Sequence, residues 1–274
     1  MVVAYQGEAG AFSEEGARAL FPDADHRPFP SIRTVFESVE VGRAGWGLVP
    51  MDNSQAGSIN ETYDLFLRHG LHLVGETVVR VDHCLLALPG TAIDEVREVM
   101  SHPQAIAQCE EFLSALDVDV RAEYNTAGAA KRIAEGRLER VAAIASRRAA
   151  ELYGLEVLAD RIQTYPDNYT RFGALSRDPS PLGTPDKSSF VFGVGHVSGS
   201  LYRCLGAFAE RHLNLTKLES RPRPGRPWEY VFYADVDAAA DAPEMVEGLA
   251  ALSQHATFTR LLGTYAAALR RTSE

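Results

Sequence analysis

The sequence predicts an α/β chain in two parts, and three observations carry that prediction. Apolar runs of strand length alternate with helical stripes from the N-terminus to Ser176. A polar segment, Ser176 to Lys187, then breaks the pattern with Pro179, Pro181, Gly183 and Pro185. Beyond it the order becomes β-α-β-β-α-β. The expected division is a first domain over 1–177, a linker over 178–187 and a second domain over 188–274.

In the first part, Val2 to Tyr5 reads as a strand, followed by a turn holding Gly7 and Gly10. Ser13 is a plausible N-cap for the next helix, with Glu14 and Glu15 at its positive end. Such a turn leaves N–H groups that can hold a carboxylate or phosphate, and in its blander reading is only a tight turn. Ser31 caps a second helix with Ile32, Val35, Phe36 and Val39 on one face. The strand Gly45 to Pro50 runs into a polar loop, Met51 to Ser58, where open α/β sheets place ligands. Capping by Asn53 or Ser54 is the alternative reading of that loop.

Leu71 to Leu88 is rich in strand, and Asp94 is expected to open a short helix ending near Met100. Ser101-His102-Pro103-Gln104 opens another helix, with Ile106, Cys109, Phe112, Leu113 and Leu116 as its buried stripe. Gln104 and Gln108 share a face away from the centre of that stripe. A strand over 118–122, a helix over 127–135, a strand over 141–145 and a helix over 146–153 follow. The alternation predicts mainly parallel sheets. Two such lobes leave a cleft between them, a usual place for ligands. The second part reads as strand 189–194, helix 200–212, strand 213–220, a Pro/Arg-rich turn 222–227, strand 228–236, helix 242–252 and strand 256–263. That order describes a ferredoxin-like domain, a fold that decides no function by itself.

With 274 residues, 46% of them hydrophobic, the chain has room for two cores. A formal net charge of -10 argues against a nucleic-acid partner. It also requires any anion site to be built locally. The three cysteines, Cys84, Cys109 and Cys204, are an odd number without metal-type spacing, which predicts reduced core thiols in a cytoplasmic protein. Met1-Val2-Val3-Ala4-Tyr5 reads as a first strand, not a signal peptide, and no stretch approaches a membrane span. His69 and His72 straddle Gly70 without further ligands nearby, so surface histidines are the expectation there, and no metal.

The stretch that organises the rest is Tyr165 to Gly173, where a loop of Pro, Asp and Asn runs into an apolar strand. It holds Asn168, Thr170 and Arg171 at the mouth of that strand. A hydroxyl there can hydrogen-bond a leaving group, and a guanidinium can fork onto a carboxylate.

These stretches, in order, resemble a prephenate dehydratase over nearly the whole chain. The opening Tyr5-Gln6-Gly7-Glu8-Ala9-Gly10-Ala11-Phe12-Ser13 resembles the family's glycine turn. Val49-Pro50-Met51-Asp52-Asn53-Ser54 resembles its Pro-Ile-Glu-Asn-Ser motif, with Asp52 in place of the usual Glu. Ser101-His102-Pro103-Gln104 and Asn168-Tyr169-Thr170-Arg171-Phe172 match its helix start and its Thr-Arg-Phe motif. Gly199-Ser200-Leu201 and Glu219-Ser220-Arg221-Pro222 resemble the two phenylalanine-binding motifs of an ACT domain, with Ser200 where alanine is usual.

The resemblance implies a two-lobed, periplasmic-binding-protein-like catalytic domain followed by a ferredoxin-like ACT domain. It implies decarboxylating dehydration of prephenate to phenylpyruvate, a carbon–oxygen lyase reaction of phenylalanine biosynthesis, without metal or organic cofactor. Thr170 is the candidate donor to the departing hydroxyl, with Asn53, Ser101 and Gln108 orienting the ring and carboxylates. Ser13, Ser54, Gln104, Asn168, Arg171 and Phe172 are the candidate substrate-binding residues, Arg171 as counter-ion or as a structural group. L-phenylalanine is the implied effector at Gly199, Ser200, Leu201, Glu219, Ser220, Arg221 and Pro222, in a homodimer or homotetramer. A pairing of Glu219 with Arg221 is the alternative reading of those two residues. No chorismate mutase segment precedes Met1, so a fused enzyme is not expected. The rivals are an arogenate dehydratase acting through the same cleft and a non-enzymatic amino-acid sensor.

Overall fold

The computed structural model describes residues 1–223 and 229–268. It divides into two compact units, Met1–Thr62 with Val78–Phe172, and Tyr63–Thr77 with the chain from Gly173 onward. The N-terminal stretch forms β1 (Val2–Gln6), α1 (Phe12–Leu20), β2 (Asp25–Phe29), α2 (Ile32–Glu40), β3 (Trp46–Asn53), β4 (Gly57–Ser58), α3 (Asn60–Arg68) and β5 (His72–Arg80). Then come β6 (Cys84–Ala87), a 3-10 turn (Ile93–Glu95), β7 (Glu98–Ser101), α4 (Pro103–Gln108), α5 (Glu110–Ser114) and β8 (Asp119–Ala122). They are followed by α6 (Thr126–Gly136), β9 (Val141–Ala145), α7 (Arg147–Tyr153), β10 (Glu156–Ala159) and β11 (Tyr169–Ser176). The last stretch is β12 (Lys187–Val194), α8 (Ser200–Ala209), β13 (Leu215–Pro222), β14 (Tyr230–Val236), α9 (Pro243–His255) and β15 (Ala256–Tyr265).

The first sheet has the order β2-β1-β3-β11-β5, with β4 paired to β3, and the second the order β10-β6-β9-β7-β8. β1 runs parallel to both β2 and β3. In the second sheet β7 is parallel to β8 and β9, while β6 and β10 are antiparallel additions. That sheet is therefore mixed, not mainly parallel. Its inner strands β6, β9 and β7 are buried on both faces, while the edge strand β8 is exposed. Leu86, Met100 and Ala143 pack under Ala127, Ala130 and Ile133 of α6 and Ala149 of α7. Their chain neighbours Leu85, Val99 and Ile144 face Ala105, Cys109 and Leu113 on the other side. The small alanines of α6 and α7 let both helices approach the sheet closely.

Three local expectations change. The segment after Asp94 is only a turn before β7, because Val99 and Met100 are fully buried in a central strand. The helix from Pro103 breaks at Cys109 (φ -110, ψ 19) into α4 and α5. The N-cap of α1 is Ala11, not Ser13. The Ser13 hydroxyl instead donates to the Gln6 carbonyl.

In the second unit the described strands pair in the order β13-β14-β12-β15, all antiparallel. Phe190, Phe192, Phe208 and Phe232 centre its core, with the Phe190 and Phe208 rings 5.0 Å apart. Lys187 is not a solvated linker residue. It opens β12 buried, its ammonium 3.1 Å from Glu76 and 3.7 Å from Asp235. The Pro/Arg-rich turn from 224, and Trp228 as the start of a strand, lie outside the described residues.

The glycine turn between β1 and α1 positions one wall of the candidate site. Gly10 sits at φ +87, and a Cβ there would lie 2.9 Å from the Ala149 Cα. The close approach is used. Ser146 Oγ donates to the Gly10 carbonyl at 2.6 Å, and the Tyr153 hydroxyl donates to the Ala9 carbonyl at 2.8 Å. Gly10→Ala combines backbone strain with overpacking, so it is expected to cost roughly 2–4 kcal/mol. A urea unfolding midpoint unchanged from wild type would refute this account of the turn.

Candidate active site

A cavity of about 200 Å³ opens in the first unit between the two sheets. Phe12 and Ser13 of α1, Asn53 of β3, and Thr170 and Phe172 of β11 line it from one side. His83, Gln104, Gln108, Asn125 and Thr126 line it from the other. β11 is a strand with period two, so Thr170 and Phe172 point one way and Arg171 the other.

Asn53 is the centre of the network. Its Nδ2 lies 2.7 Å from Asn168 Oδ1, 3.0 Å from Thr170 Oγ1 and 3.2 Å from the Tyr169 carbonyl. Its Oδ1 accepts from the backbone N–H groups of Gln55 (3.1 Å) and Ala56 (2.9 Å). The oxygen end is thereby fixed, and the amine end must face β11. Because Thr170 Oγ1 accepts from an amide, its own O–H is left to donate. Thr170 is buried, 8% exposed, against the cavity that Gln108 also lines.

Other candidates serve this frame without lining the cavity. Ser54 Oγ donates to the Asp167 carbonyl (2.9 Å) and accepts from the Tyr169 N–H (2.9 Å), tying the end of β3 to β11. Asn168 is fully buried and holds Asn53. Ser101 is fully buried, and its hydroxyl donates to the Ile144 carbonyl at 2.6 Å. Arg171 is paired with Asp52, whose Oδ2 lies 2.8 Å from Nε and 2.6 Å from Nη2. The guanidinium is turned to this carboxylate, and Arg171 does not line the cavity. Asp52, the residue shorter than its family counterpart, still reaches it.

Among the described residues that line the cavity, none is Lys, Arg, Asp or Glu. α1 and α6 both begin at the cavity wall, and the first N–H groups of a helix have no intrahelical partner. His102 caps α4 by accepting from the Gln104 N–H at 3.2 Å, and burial lowers its pKa. His83 lies 2.9 Å from Gln108 Oε1, and burial lowers its pKa against the raising effects of Gln108 and Asp82. Burial pushes the Cys84 and Cys109 thiols up to about 12, so neither is a nucleophile near neutrality. Among the described residues no group of three His, Cys, Asp or Glu side chains gathers as a metal site, and no helix is long and apolar enough to cross a membrane.

His83, Asn125 and Thr126 are lining residues that the sequence reading did not single out. Asn125 follows the same pattern as Ser101, a small polar cap between strand and helix, and that pattern was the available signal. His83 carries none, being a lone histidine between apolar strands.

In the second unit, Gly199 (φ 79) caps α8, and residues 194–202 line a separate cavity of about 500 Å³. Glu219, Ser220, Arg221 and Pro222 lie on β13, with β14 between them and β12. Glu219 reaches Lys217 (3.4 Å) and Arg221 reaches Asp64 (3.4 Å).

Comparison with known proteins agrees with this arrangement. The family model for prephenate dehydratase matches residues 3–180, and the chain belongs to that family. It is 44% identical to arogenate dehydratase/prephenate dehydratase 2, chloroplastic, of Arabidopsis thaliana, over 96% of this chain and 72% of that protein. It is 43% identical to arogenate dehydratase 1 of Petunia hybrida, over 96% of this chain and 66% of that one. Among solved structures, prephenate dehydratase from Arthrobacter aurescens in complex with L-Phe superposes with a TM-score of 0.89 at 31% identity, covering 98% of this chain and 90% of that one. A protein described as a novel type of quorum quenching acylase reaches a TM-score of 0.90 at 34% identity, covering 99% and 100%. The chain is thus a mixed α/β protein of a dehydratase family tied to aromatic amino-acid biosynthesis.

The expected cytoplasmic location does not stand against these relatives, several of which are named chloroplastic enzymes. Reduced cysteines and an apolar first strand are properties of the folded domain and do not encode its compartment.

Acidic groups behind the cavity wall make the first unit sensitive to pH. Burial raises Glu15 to about 7, against Arg148, whose charge lowers it; Glu14 and Asp82 add to the rise, and Ser146 opposes it. Between its ordinary 4.5 and 7 the folded chain keeps a proton that the unfolded chain loses, so stability falls as pH rises through that window. Glu15→Gln is expected to melt like wild type at pH 4 and at a higher temperature at pH 8. A pH-independent difference in Tm would overturn that assignment.

Proposed function

We propose that this chain is a prephenate dehydratase whose first unit carries catalysis, residues 1–177 forming a two-lobed, periplasmic-binding-protein-like domain. The observation that carries the reading is the Thr170 hydroxyl, which accepts from Asn53 and so is left to donate into a cavity without charged side chains. In the reaction the C1–carboxylate bond breaks, carbon dioxide leaves, and its electron pair enters the ring. The C4–oxygen bond breaks and hydroxide departs. Aromatisation drives both cleavages. Thr170 donates a hydrogen bond to the departing oxygen, a contact that strengthens as charge develops there.

The lack of a cation suits the carboxylate that must leave. A guanidinium there would hold charge in the ground state that the transition state is giving up. The carboxylate that stays fits the N–H groups at the starts of α1 and α6. Gln104 and Gln108 supply further donors, and Phe12 and Phe172 pack against the ring. Neither step calls on a metal or organic cofactor.

Arogenate is the competing substrate, favoured by the names of the plant relatives. The two differ in the side chain, where arogenate carries an ammonium and prephenate a keto group. Purified protein is expected to convert prephenate to phenylpyruvate with the higher kcat/KM. Turnover of arogenate alone would reassign the substrate, and turnover of neither would remove the enzymatic reading. Thr170→Ala is expected to lower kcat by about 10²–10⁴ with Tm preserved, and Thr170→Ser to recover part of it. Near-wild-type turnover in Thr170→Ala would take Thr170 out of the mechanism.

We also infer that residues 188–274 form a ferredoxin-like ACT domain that binds L-phenylalanine as feedback inhibitor, in a homodimer or homotetramer. Support comes from the β-α-β-β-α-β order, the cavity at Gly199–Leu201 and a relative solved in complex with L-Phe. β14 lies between β12, which leads into that cavity, and β13, which carries the second motif, and in this reading a second copy completes the site. Calorimetry on the intact protein is expected to show L-phenylalanine binding that Gly199→Val abolishes. Absence of binding in wild type would end the regulatory reading and leave catalysis untouched.

A further inference from the structure

His83 lies in the crossing segment between β5 and β6, only 2% exposed, and lines the cavity with Gln108 and Phe12. Its main chain is held at both ends. Its N–H donates to Gln163 Oε1 at 3.0 Å, and its carbonyl accepts from the Ile162 N–H at 2.9 Å. The ring stands edge-on to Phe12, with centroids 5.6 Å apart at 80°.

Among the described residues the ring has one polar partner. Its Nε2 lies 2.9 Å from Gln108 Oε1, while its Nδ1 is buried without a partner. An amide oxygen only accepts, so the proton of this contact sits on His83 Nε2. A proton on Nδ1 would be a buried donor with no acceptor, which disfavours both the other tautomer and the charged ring. The unpartnered nitrogen therefore locks the donor onto Gln108.

We propose that His83 is a positioning residue that sets the sense of the Gln108 amide, holding its oxygen away so that its NH₂ group faces the substrate. Without that donor the amide can rotate by half a turn. Its oxygen then meets the substrate carboxylate and repels it. This rests on the dehydratase reading for its kinetic consequence, but the tautomer and the amide orientation do not depend on it.

Two measurements on the full chain test the proposal. Histidine ring ¹⁵N NMR at pH 7 is expected to show His83 neutral, with Nε2 protonated and Nδ1 bare. A proton on Nδ1, or a charged ring, overturns the proposal whatever the substrate proves to be. For kinetics, His83→Gln places an amide donor near the Nε2 position, whereas His83→Asn reaches only the Nδ1 position. We expect kcat/KM for the substrate the wild type turns over to stay within about 3-fold in His83→Gln and to fall about 10–100-fold in His83→Asn, with Tm alike in the two. Adding His83→Asn to Gln108→Ala should change kcat/KM little beyond Gln108→Ala alone, since His83 acts only through that amide. Equal activity of the Gln and Asn variants, or fully additive losses, would overturn it. If the wild type turns over neither prephenate nor arogenate, the dehydratase reading fails, and the NMR result still decides the tautomer.

Discussion

One carboxamide orients the rest of the site. Asn53 has a single side-chain oxygen, and two backbone N–H groups of its own loop occupy it. That leaves only N–H groups to face β11, and Thr170 must accept one of them. The direction of a hydroxyl proton, which no sequence motif specifies, follows from the turn at Gln55 and Ala56. An aspartate at position 53 would keep the shape and reverse the logic. Its oxygen would take the Thr170 proton and leave the cavity with an acceptor where a donor is required. The chemistry thus depends less on threonine as a residue type than on which end of Asn53 the loop has claimed.

The second constraint is electrostatic. A chain of net charge -10 whose proposed substrate carries two carboxylates needs local positive potential. The simplest source would be an arginine, and Arg171 stands next to Thr170. Yet the guanidinium is turned to Asp52. In the proposed mechanism the backbone N–H groups at the starts of α1 and α6 take that part instead. They are weaker than a full cation and are fixed in place, so they attract an anion without a flexible side chain following it. For a reaction that must release a carboxylate as a neutral gas, weak and fixed attraction is the better match. Histidines kept neutral by burial are consistent with the same constraint, since a second charge in so small a cavity would act on both carboxylates alike.

Much of this was legible in the sequence, and the parts that were not share a cause. Apolar periodicity marked β1, β9, α2, α6 and α7 because one face of each is buried almost without interruption. The ordered motifs brought Thr170, Asn53 and Gln108 to one cavity. What escaped was set by tertiary surroundings. β2, with the sequence Asp-His-Arg-Pro-Phe, has no strand signature, and it forms because β1 offers an edge where Pro28 needs no donor. Ser101 looked like a ligand residue because small hydroxyls cap helices near ligands, but full burial spends its proton on Ile144. Lys187 read as linker because a lysine is normally solvated, whereas Glu76 and Asp235 repay its burial here. His83 gave no signal because its role depends on an amide 25 positions away.

The pairing of β3 with β11 shows why the motif residues occur as neighbours and not singly. Strand alternation sends Asn53 and Asp52 to opposite faces of the sheet, and likewise Thr170 and Arg171. Asn53 meets Thr170 on the cavity face, while Asp52 meets Arg171 on the other. A slip of one residue would present Arg171 to the cavity and carry Thr170 out of reach. It would also leave Asp52 and Arg171 without each other, at a depth where separated charges are costly. The ion pair behind the sheet therefore protects the hydroxyl in front of it. Arginine contributes to the site by staying out of it, and the conspicuous charge in the motif acts as the register pin for an uncharged donor.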